Sequence, residues 1–315
     1  MAIDPQRSAF LFPGQGSQAV GMGRELARAV PAAAAVFAEA DAILGYELTR
    51  LCWEGPAETL NDTQHTQPAL LTHAVAVLQA LQAHAPAFRP AFTAGHSLGE
   101  FSALVAAGCL SFAEALRLVR ERGHAMKFAG EQSPGGMAAV LGLDAPEVEA
   151  VCRQAAKDTS AIVQVANDNC PGQVVISGEE SALMRAIEEL KARGARRVVR
   201  LAVSIAAHSP LMEAAQAQFG RALQAAPIAD PRIPIIGNVG AAPLRTAAEV
   251  RADLQAQLTS RVRWTESIRA MASAGVDTFL ELGTGTVLTG LVRRIAPDAA
   301  AHSLDAFETI QAVAG

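Results

Sequence analysis

Short apolar runs alternate with amphipathic segments along this chain of 315 residues. The runs at residues 8–14 (SAFLFPG) and 92–96 (FTAGH) are short and made of apolar or small residues, and each is predicted to form a strand. Residues 68–85 have apolar positions at helical spacing. The alternation continues later with IPIIGNV, VDTFLELG and the helical TVLTGLVRRIA. This order of elements predicts an α/β fold.

The middle of the chain has a different order of elements. GMAAVLG (strand), APEVEAVCRQAA (helix), AIVQVAN (strand), GQVVISG (strand), ESALMRAIEELKARG (helix) and ARRVVRLAV (strand) follow one another as β-α-β-β-α-β. This is the order of a ferredoxin-like subdomain. We therefore predict a ferredoxin-like insertion at residues 132–200, within a body that is formed by residues 1–131 and 201–315.

Composition and charge narrow the classes of partner. Half of the residues are hydrophobic and 18% are charged, which favours a large core over disorder. The net charge is −5, and the longest basic block is the short RGARR at residues 193–197. We therefore expect neither nucleic acid nor an anionic membrane as a partner.

Cysteine spacing and hydropathy indicate the compartment. The four cysteines, Cys52, Cys109, Cys152 and Cys170, form no C-x-x-C pair, which favours buried free thiols in a reducing compartment. Asp4 and Arg7 interrupt the N-terminal region where an export signal would need an apolar run. The longest apolar stretch contains polar residues at spacings that suit a helix outside a membrane. We expect a cytoplasmic protein.

A serine between two glycines carries the first chemical signal. Residues 95–99 (GHSLG) match G-x-S-x-G, with a predicted strand before them and a helix, EFSALVAA, after them. In this context the tight turn presents the Ser97 hydroxyl at the N-terminus of a helix, where backbone N–H groups stabilise a developing oxyanion. The structural alternative is that Ser97 only caps the helix. The flanking strand and helix favour a nucleophile.

A serine nucleophile needs a base, and the chain has seven histidines. Five are placed in predicted helices or near the C-terminus: His65, His73, His84, His124 and His302. His96 precedes Ser97 directly and is expected to pack against the turn. His208 remains, because it follows the last strand of the insertion, where the chain returns to the body. A lone histidine is more often structural, so the residues alone leave both roles open.

One arginine lies at an unexpected helical position. Ser111 and Glu114 form a capping-box pattern that sets the register of the helix after them. The apolar stripe of this helix then consists of Phe112, Ala115, Leu116, Val119 and Met126, and Arg122 falls inside it. A buried guanidinium stays charged and needs an anion. That anion is either a distant Asp or Glu of this chain or the carboxylate of a substrate.

The first glycine-rich loop, GQGSQA at residues 14–19, matches the dinucleotide fingerprint. That function is rejected, because the fingerprint requires a second strand ending in an acidic residue, and the chain after Gly23 has helical spacing instead. We expect the loop to bring its backbone and Gln15 close to a reacting carbonyl, as part of an oxyanion hole.

Taken together, these motifs resemble the malonyl-CoA:acyl carrier protein transacylases of fatty-acid synthesis. The matching segments, in order, are FLFPGQGSQAVGMG, LNDTQHTQPALLT, GHSLGE, ERG at residues 121–123, VANDNCPGQVVISG, VSIAAHSPLM, VRWTESI and ELGTGTVLTGLVRR. The resemblance implies an α/β-hydrolase-like body with a ferredoxin-like insertion. It also implies malonyl-CoA and acyl carrier protein as substrate and partner, with no bound cofactor and no metal.

The resemblance further implies a role for each site residue. Ser97 would be the acylated nucleophile and His208 its base, in a dyad that works by a two-step, ping-pong transfer. Gln15 and the backbone N–H of Leu98 would form the oxyanion hole. Arg122 would bind the malonyl carboxylate, and Asn167 would lie at the cleft, where it either contacts the substrate or supports a residue that does.

The resemblance also implies that a backbone carbonyl orients the histidine. The expected residue is Arg263 in VRWT, at a position where we expect glutamine in this family. Two alternative functions remain open. One is a free-standing acyltransferase of a polyketide synthase, which would share every catalytic residue, and the other is a serine thioesterase or carboxylesterase, which would usually add an acidic triad member.

Overall fold

Two β-sheets organise the fold, which is described here from a computed structural model covering residues 3–203 and 205–314. In chain order the strands are β1 (Ser8–Phe12), β2 (Phe92–Gly95), β3 (Gly136–Leu141), β4 (Val163–Cys170), β5 (Gln173–Gly178), β6 (Arg197–Arg200), β7 (Ile235–Ile236), β8 (Pro243–Leu244), β9 (Thr278–Leu282) and β10 (Ala300–Leu304). The larger sheet has the order β10-β9-β1-β2-β7-β8 and is parallel except for the β7–β8 pair. The α/β prediction is confirmed in this form.

Helices pack on both sheets. They are α1 (Arg24–Ala29), α2 (Pro31–Leu44), α3 (Leu48–Glu54), α4 (Ala57–Leu60), α5 (Thr63–His84), α6 (Gly99–Ala106), α7 (Phe112–Gln132), α8 (Ala145–Thr159), α9 (Glu180–Ala192), α10 (Glu213–Ala225), α11 (Ala247–Gln257), α12 (Trp264–Ser273), α13 (Val287–Ile295) and α14 (Phe307–Ala314).

Strand β1 lies at the centre of the larger sheet, and all five of its residues are buried. Because successive side chains of a strand point to opposite faces, Phe10 and Phe12 enter one hydrophobic core, while Ala9 and Leu11 enter the other. A parallel sheet needs helices over both faces, which explains the continuous apolar run of β1. The carboxyl ends of β1 and β2 therefore meet at one edge of this sheet.

The segment from β3 to β6 forms the smaller sheet. Its elements run β3-α8-β4-β5-α9-β6, and the antiparallel strands have the order β4-β5-β3-β6. The apolar sides of α8 and α9, including Val148 and Leu183, pack on this sheet in a separate core. The predicted β-α-β-β-α-β order is confirmed.

Some element boundaries differ from the predictions. The helix expected at residues 68–85 begins earlier, at Thr63, because the Asp62 side chain accepts a hydrogen bond from the Gln64 N–H and caps it. Only Ile235–Ile236 of the predicted strand IPIIGNV pairs as β7. The four cysteines are buried and unpaired. Among the residues described, no helix is both long and apolar enough to cross a membrane.

Candidate active site

Ser97 lies in a tight turn between β2 and α6. Its backbone has a φ of 50°, in the left-handed region that a serine rarely adopts. The turn needs both flanking glycines, because a Cβ on Gly95 would lie 1.9 Å from the Gly99 carbonyl carbon, and one on Gly99 would lie 2.0 Å from the Phe12 carbonyl oxygen. This strand–turn–helix context is the one that a nucleophile elbow requires.

The side chain of Asn238 holds the elbow in this conformation. Its Oδ1 accepts a hydrogen bond from the Ser97 N–H at 2.7 Å, and its Nδ2 donates to the Gly95 carbonyl at 2.8 Å. Asn238 is buried and follows β7, the neighbour of β2 in the sheet. Two directional bonds from one rigid amide thus offset the strain at Ser97.

The hydroxyl of Ser97 and the ring of His208 are in direct contact. Ser97 Oγ lies 2.8 Å from His208 Nε2. On the other side of the ring, Nδ1 donates to the carbonyl oxygens of Gln257, at 2.9 Å, and Ser260, at 3.1 Å. Two carbonyl acceptors at Nδ1 place the ring proton there, so that Nε2 is free to accept the serine proton. The structure therefore brings the predicted nucleophile and base together.

The prediction that the Arg263 carbonyl orients His208 is wrong. Its carbonyl accepts hydrogen bonds from the backbone and hydroxyl of Ser267, and its guanidinium pairs with Glu266. Arg263 is the residue that precedes α12, so its carbonyl is used by the first turn of that helix. The carbonyls that orient His208 come from the end of α11 and the loop after it, three to six residues earlier.

Burial of His208 changes its acidity. Only 3% of the residue is exposed, and this burial, followed by the positive charge of Arg122, lowers the pKa of His208 from 6.5 to about 3. The hydrogen bonds from Nδ1 to the two carbonyls raise the pKa of His208, but by less than burial and Arg122 lower it. The ring is therefore neutral near pH 7, which is the form that can accept a proton.

Arg122 lies beside the nucleophile and is almost fully buried, with 2% exposed. Its Nη1 donates to Gln67 Oε1 at 2.8 Å, and its Nη2 donates both to Gln257 Oε1 at 2.8 Å and to Ser97 Oγ at 3.1 Å. All three acceptors are uncharged, and Nε has no acceptor among the described residues. Within residues 3–203 and 205–314 the hydrogen-bond partners of Arg122 include no carboxylate, so the internal salt-bridge alternative finds no support.

Gln257 is the main site residue that the sequence analysis missed. Its carbonyl accepts from His208, its Oε1 accepts from Arg122, and its Nε2 donates to the Ser97 carbonyl at 3.1 Å and to Glu100 Oε2 at 2.6 Å. A glutamine at the end of a helix has no distinctive spacing. The one related signal in the sequence is the glutamine expected at the position of Arg263, and Gln257 lies six residues before that position.

The remaining predicted residues line one cleft of about 990 Å³ between the two sheets. Gln15 is anchored by Thr63, whose hydroxyl donates to Gln15 Oε1 at 3.0 Å. Leu98 immediately precedes α6, and neither its N–H nor that of Gln15 donates a hydrogen bond to any residue that the structure describes. Asn167 lies on β4 at the cleft wall and bridges to Val262 of the body.

Comparisons with known proteins agree with this arrangement. Residues 9–304 match the model of the acyl transferase domain family. The chain is 47% identical to malonyl CoA-acyl carrier protein transacylase from Bacillus subtilis over 287 residues, which cover 91% of this chain and 90% of the relative. It therefore belongs to the malonyl CoA-acyl carrier protein transacylase family of acyl transferases.

Solved structures are similar over nearly the full length. The malonyl CoA-acyl carrier protein transacylase from Coxiella burnetii superposes with a TM-score of 0.94 at 40% identity, covering 98% of this chain and 96% of that one. A malonyl-transacylase in complex with a type II polyketide synthase (PKS) acyl-carrier protein also has a TM-score of 0.94 at 40% identity, with 98% and 99% covered.

Proposed function

We propose that this protein transfers the malonyl group from malonyl-CoA to the phosphopantetheine thiol of acyl carrier protein for fatty-acid synthesis. The observation that carries the proposal is the position of Ser97 Oγ, 2.8 Å from a neutral histidine nitrogen and 3.1 Å from an uncompensated buried guanidinium. A nucleophile between a base and a buried cation suits an acyl donor that carries its own carboxylate. Malonyl-CoA is such a donor, and acetyl-CoA is not.

In the first half-reaction the Ser97 oxygen attacks the thioester carbonyl while His208 Nε2 accepts its proton. The negative charge that develops on the carbonyl oxygen is stabilised by the N–H groups of Leu98, before α6, and of Gln15 in the facing loop. The carbon–sulfur bond then breaks, and His208 returns the proton to the leaving thiolate of coenzyme A. The product is malonyl-Ser97.

In the second half-reaction the thiol of the carrier protein's phosphopantetheine attacks the serine ester. His208 Nε2 accepts the thiol proton and then donates it to Ser97 as the ester bond breaks. The carbonyls of Gln257 and Ser260 hold the ring through Nδ1 in both steps. Because the same dyad serves both halves, the enzyme alternates between free and malonylated forms.

Arg122 selects acyl groups that carry a carboxylate. Its guanidinium binds the malonyl carboxylate through two parallel N–H bonds, exchanging uncharged acceptors for an anion. Asn167, at the opposite wall of the cleft, contributes a polar contact to the bound substrate. The walls also limit access of water, which would otherwise hydrolyse the ester.

We also propose a division of the chain into two domains and a cellular compartment. Residues 1–131 and 201–315 form an α/β-hydrolase-like body, and residues 132–200 form a ferredoxin-like insertion that closes the cleft. The element order of the smaller sheet supports this division. The four buried, unpaired cysteines support work in the cytoplasm.

A polyketide carrier protein is the second candidate acceptor, because a structurally similar malonyl-transacylase binds a polyketide acyl-carrier protein. The catalytic steps would be identical. A thioesterase or carboxylesterase is less well supported, since carbonyls and not a carboxylate orient His208.

Mass spectrometry of the carrier protein tests the proposal. The purified enzyme is incubated with malonyl-CoA and either a fatty-acid or a polyketide carrier protein, each bearing phosphopantetheine. Parallel reactions contain methylmalonyl-CoA or acetyl-CoA. We expect malonyl transfer to dominate and the fatty-acid carrier to be the faster acceptor. Preferred acetyl transfer, or release of free malonate with no acylated carrier, would contradict the proposed function.

A further inference from the structure

Glu100 is a buried acidic residue that the mechanism above does not use. It lies in the first turn of α6, three residues after the nucleophile, and is fully buried. Its Oε2 accepts the 2.6 Å hydrogen bond from Gln257 Nε2, whereas its buried Oε1 receives no N–H or hydroxyl donor from the residues that the structure describes. A carboxylate in this position would leave one charged oxygen without any donor, which is costly.

Asp253, one turn before Gln257 in α11, explains why Glu100 Oε1 has no donor. The Asp253 carboxyl group accepts hydrogen bonds from the N–H groups of Asn238, at 3.1 Å, and Val239, at 3.2 Å. Asp253 and Gln257 are buried on the same side of α11, one turn apart, and Gln257 contacts Glu100, so the two carboxyl groups are neighbours. Two buried carboxyl groups in contact cannot both be ionised. The backbone donors favour the anion at Asp253, so the shared proton belongs on Glu100 Oε1.

Charges around the pair agree with this assignment. Burial, followed by the negative charge of Asp253, raises the pKa of Glu100 well above its usual value. Among the described residues, the charged groups that act on Glu100 are Asp253 in α11 and Arg122 in α7. The positive charge of Arg122 favours the ionised form, but its effect is the smaller one.

The amide of Gln257 must keep one orientation for the site to work. Its oxygen accepts from Arg122, and its nitrogen donates to the Ser97 carbonyl. If the amide turned over, an NH₂ group would face the guanidinium and an oxygen would face a carbonyl. Glu100 Oε2 accepts from the amide nitrogen and so selects the working orientation.

We propose that Glu100 is a positioning residue that acts as a neutral carboxylic acid, donating a hydrogen bond to Asp253 and accepting one from Gln257. It thereby fixes the glutamine that contacts Arg122, Ser97 and His208. This inference rests on the acyltransferase function proposed above. It does not require Glu100 to touch the substrate.

The replacement of Glu100 by glutamine or alanine tests the role. Glu100→Gln can donate an N–H to Asp253 and accept from Gln257, while Glu100→Ala can do neither. At saturating malonyl-CoA we expect Glu100→Ala to acylate Ser97 about tenfold more slowly or worse, and Glu100→Gln to restore most of that loss. A Glu100→Gln rate as low as that of alanine would mean that the ionised form is needed. A parental rate in folded Glu100→Ala would mean that the role is structural only. Either result overturns the proposal.

Two measurements that need no acyl transfer separate this inference from the proposed function. At pH 8 the infrared difference spectrum of the parental protein against Glu100→Gln should contain the carbonyl stretch of a protonated carboxylic acid, and its absence overturns the assignment. Glu281→Gln is the matched control, because the buried Glu281 carboxylate accepts the N–H groups of Leu288 and Thr289 through both oxygens.

We expect Glu281→Gln to lower the melting temperature clearly, since its amide nitrogen cannot accept a hydrogen bond. Glu100→Gln should leave the melting temperature near the parental value. An equal loss in the two variants would contradict a neutral Glu100. A parental protein that malonyl-CoA fails to acylate would count against the proposed function, while the spectrum and the melting temperatures would still decide the state of Glu100.

Discussion

Arg122 donates a hydrogen bond from Nη2 to the hydroxyl oxygen of Ser97 across 3.1 Å, so a permanently charged group lies directly beside the nucleophile. The guanidinium is buried among uncharged acceptors. This arrangement is unfavourable for a protein without ligand and favourable once an anion arrives. The position of the cation therefore links substrate choice to the reacting oxygen.

Removal of this cation should change the choice of acyl donor. A charge-assisted pair with a carboxylate contributes roughly 1.5–3 kcal/mol, or about 10- to 150-fold in binding. We expect Arg122→Ala to lose malonyl transfer by at least this factor while acetyl transfer falls little or rises. Arg122→Lys should recover only part, because an ammonium group cannot form two parallel bonds. The measurement is the ratio of malonyl to acetyl transfer, and an unchanged ratio in folded Arg122→Ala would contradict the carboxylate role.

Loss of the base should slow acylation without changing this ratio. His208→Ala removes the nitrogen that accepts from the Ser97 hydroxyl, and losing a general base costs on the order of 10²-fold. Arg263→Gln is the matched control, because the Arg263 side chain pairs with Glu266 and its carbonyl does not reach the ring. Single-turnover acylation by malonyl-CoA should be slow in the first variant and within a few-fold of parental in the second. If Arg263→Gln were equally slow, Arg263 would have a role in the active site.

The pH profile of acylation should report the charge of Arg122. A general base works in its neutral form, and the pKa of His208 is lowered to about 3, so the parental rate should stay flat from about pH 8 to pH 5. Arg122 is one of the groups that lower this pKa. In Arg122→Ala the pKa should rise toward 6.5, which moves the acidic limb of the profile to higher pH. Acetyl-CoA is the suitable donor for this comparison, and coincident profiles would contradict the coupling.

The elbow was predictable because its signal is local. Gly95, Ser97 and Gly99 lie within five consecutive residues, and the turn itself requires the two glycines. Arg122 was predictable for a similar reason, since the cap at Ser111 sets the register of α7 and places the arginine on the buried side. In both cases one element contains all the information.

The support around the elbow could not be predicted in this way. Asn238 and Gln257 reach Ser97 from 141 and 160 residues away, and only the sheet topology brings them close. The acceptors at His208 are backbone carbonyls, which every residue has, so no residue type marks them. This is the physical reason that the prediction of Arg263 was wrong. Resemblance to a family indicated the kind of acceptor but not its position.

Replacement of Asn238 should lower both the stability of the protein and the rate of acylation. Asn238→Ala leaves the Ser97 N–H and the Gly95 carbonyl without partners, at a cost on the order of 1–3 kcal/mol in the free energy of unfolding. Acylation should also slow, because the strained turn then loses two of the hydrogen bonds that hold it. Asn238→Asp keeps the acceptor but loses the donor and should be intermediate. Urea unfolding together with single-turnover acylation checks both effects. Parental values in Asn238→Ala would contradict the proposed role of Asn238 in holding the turn.

In the proposed transfer Ser97 carries the malonyl group between donor and acceptor. Intact-mass analysis after incubation with malonyl-CoA, without carrier protein, tests this role. We expect one malonyl adduct on the parental protein, located at Ser97, which disappears when carrier protein with free phosphopantetheine thiol is added. We expect no adduct on Ser97→Ala. An adduct of undiminished yield on Ser97→Ala would place the nucleophile at another residue and refute the role of Ser97.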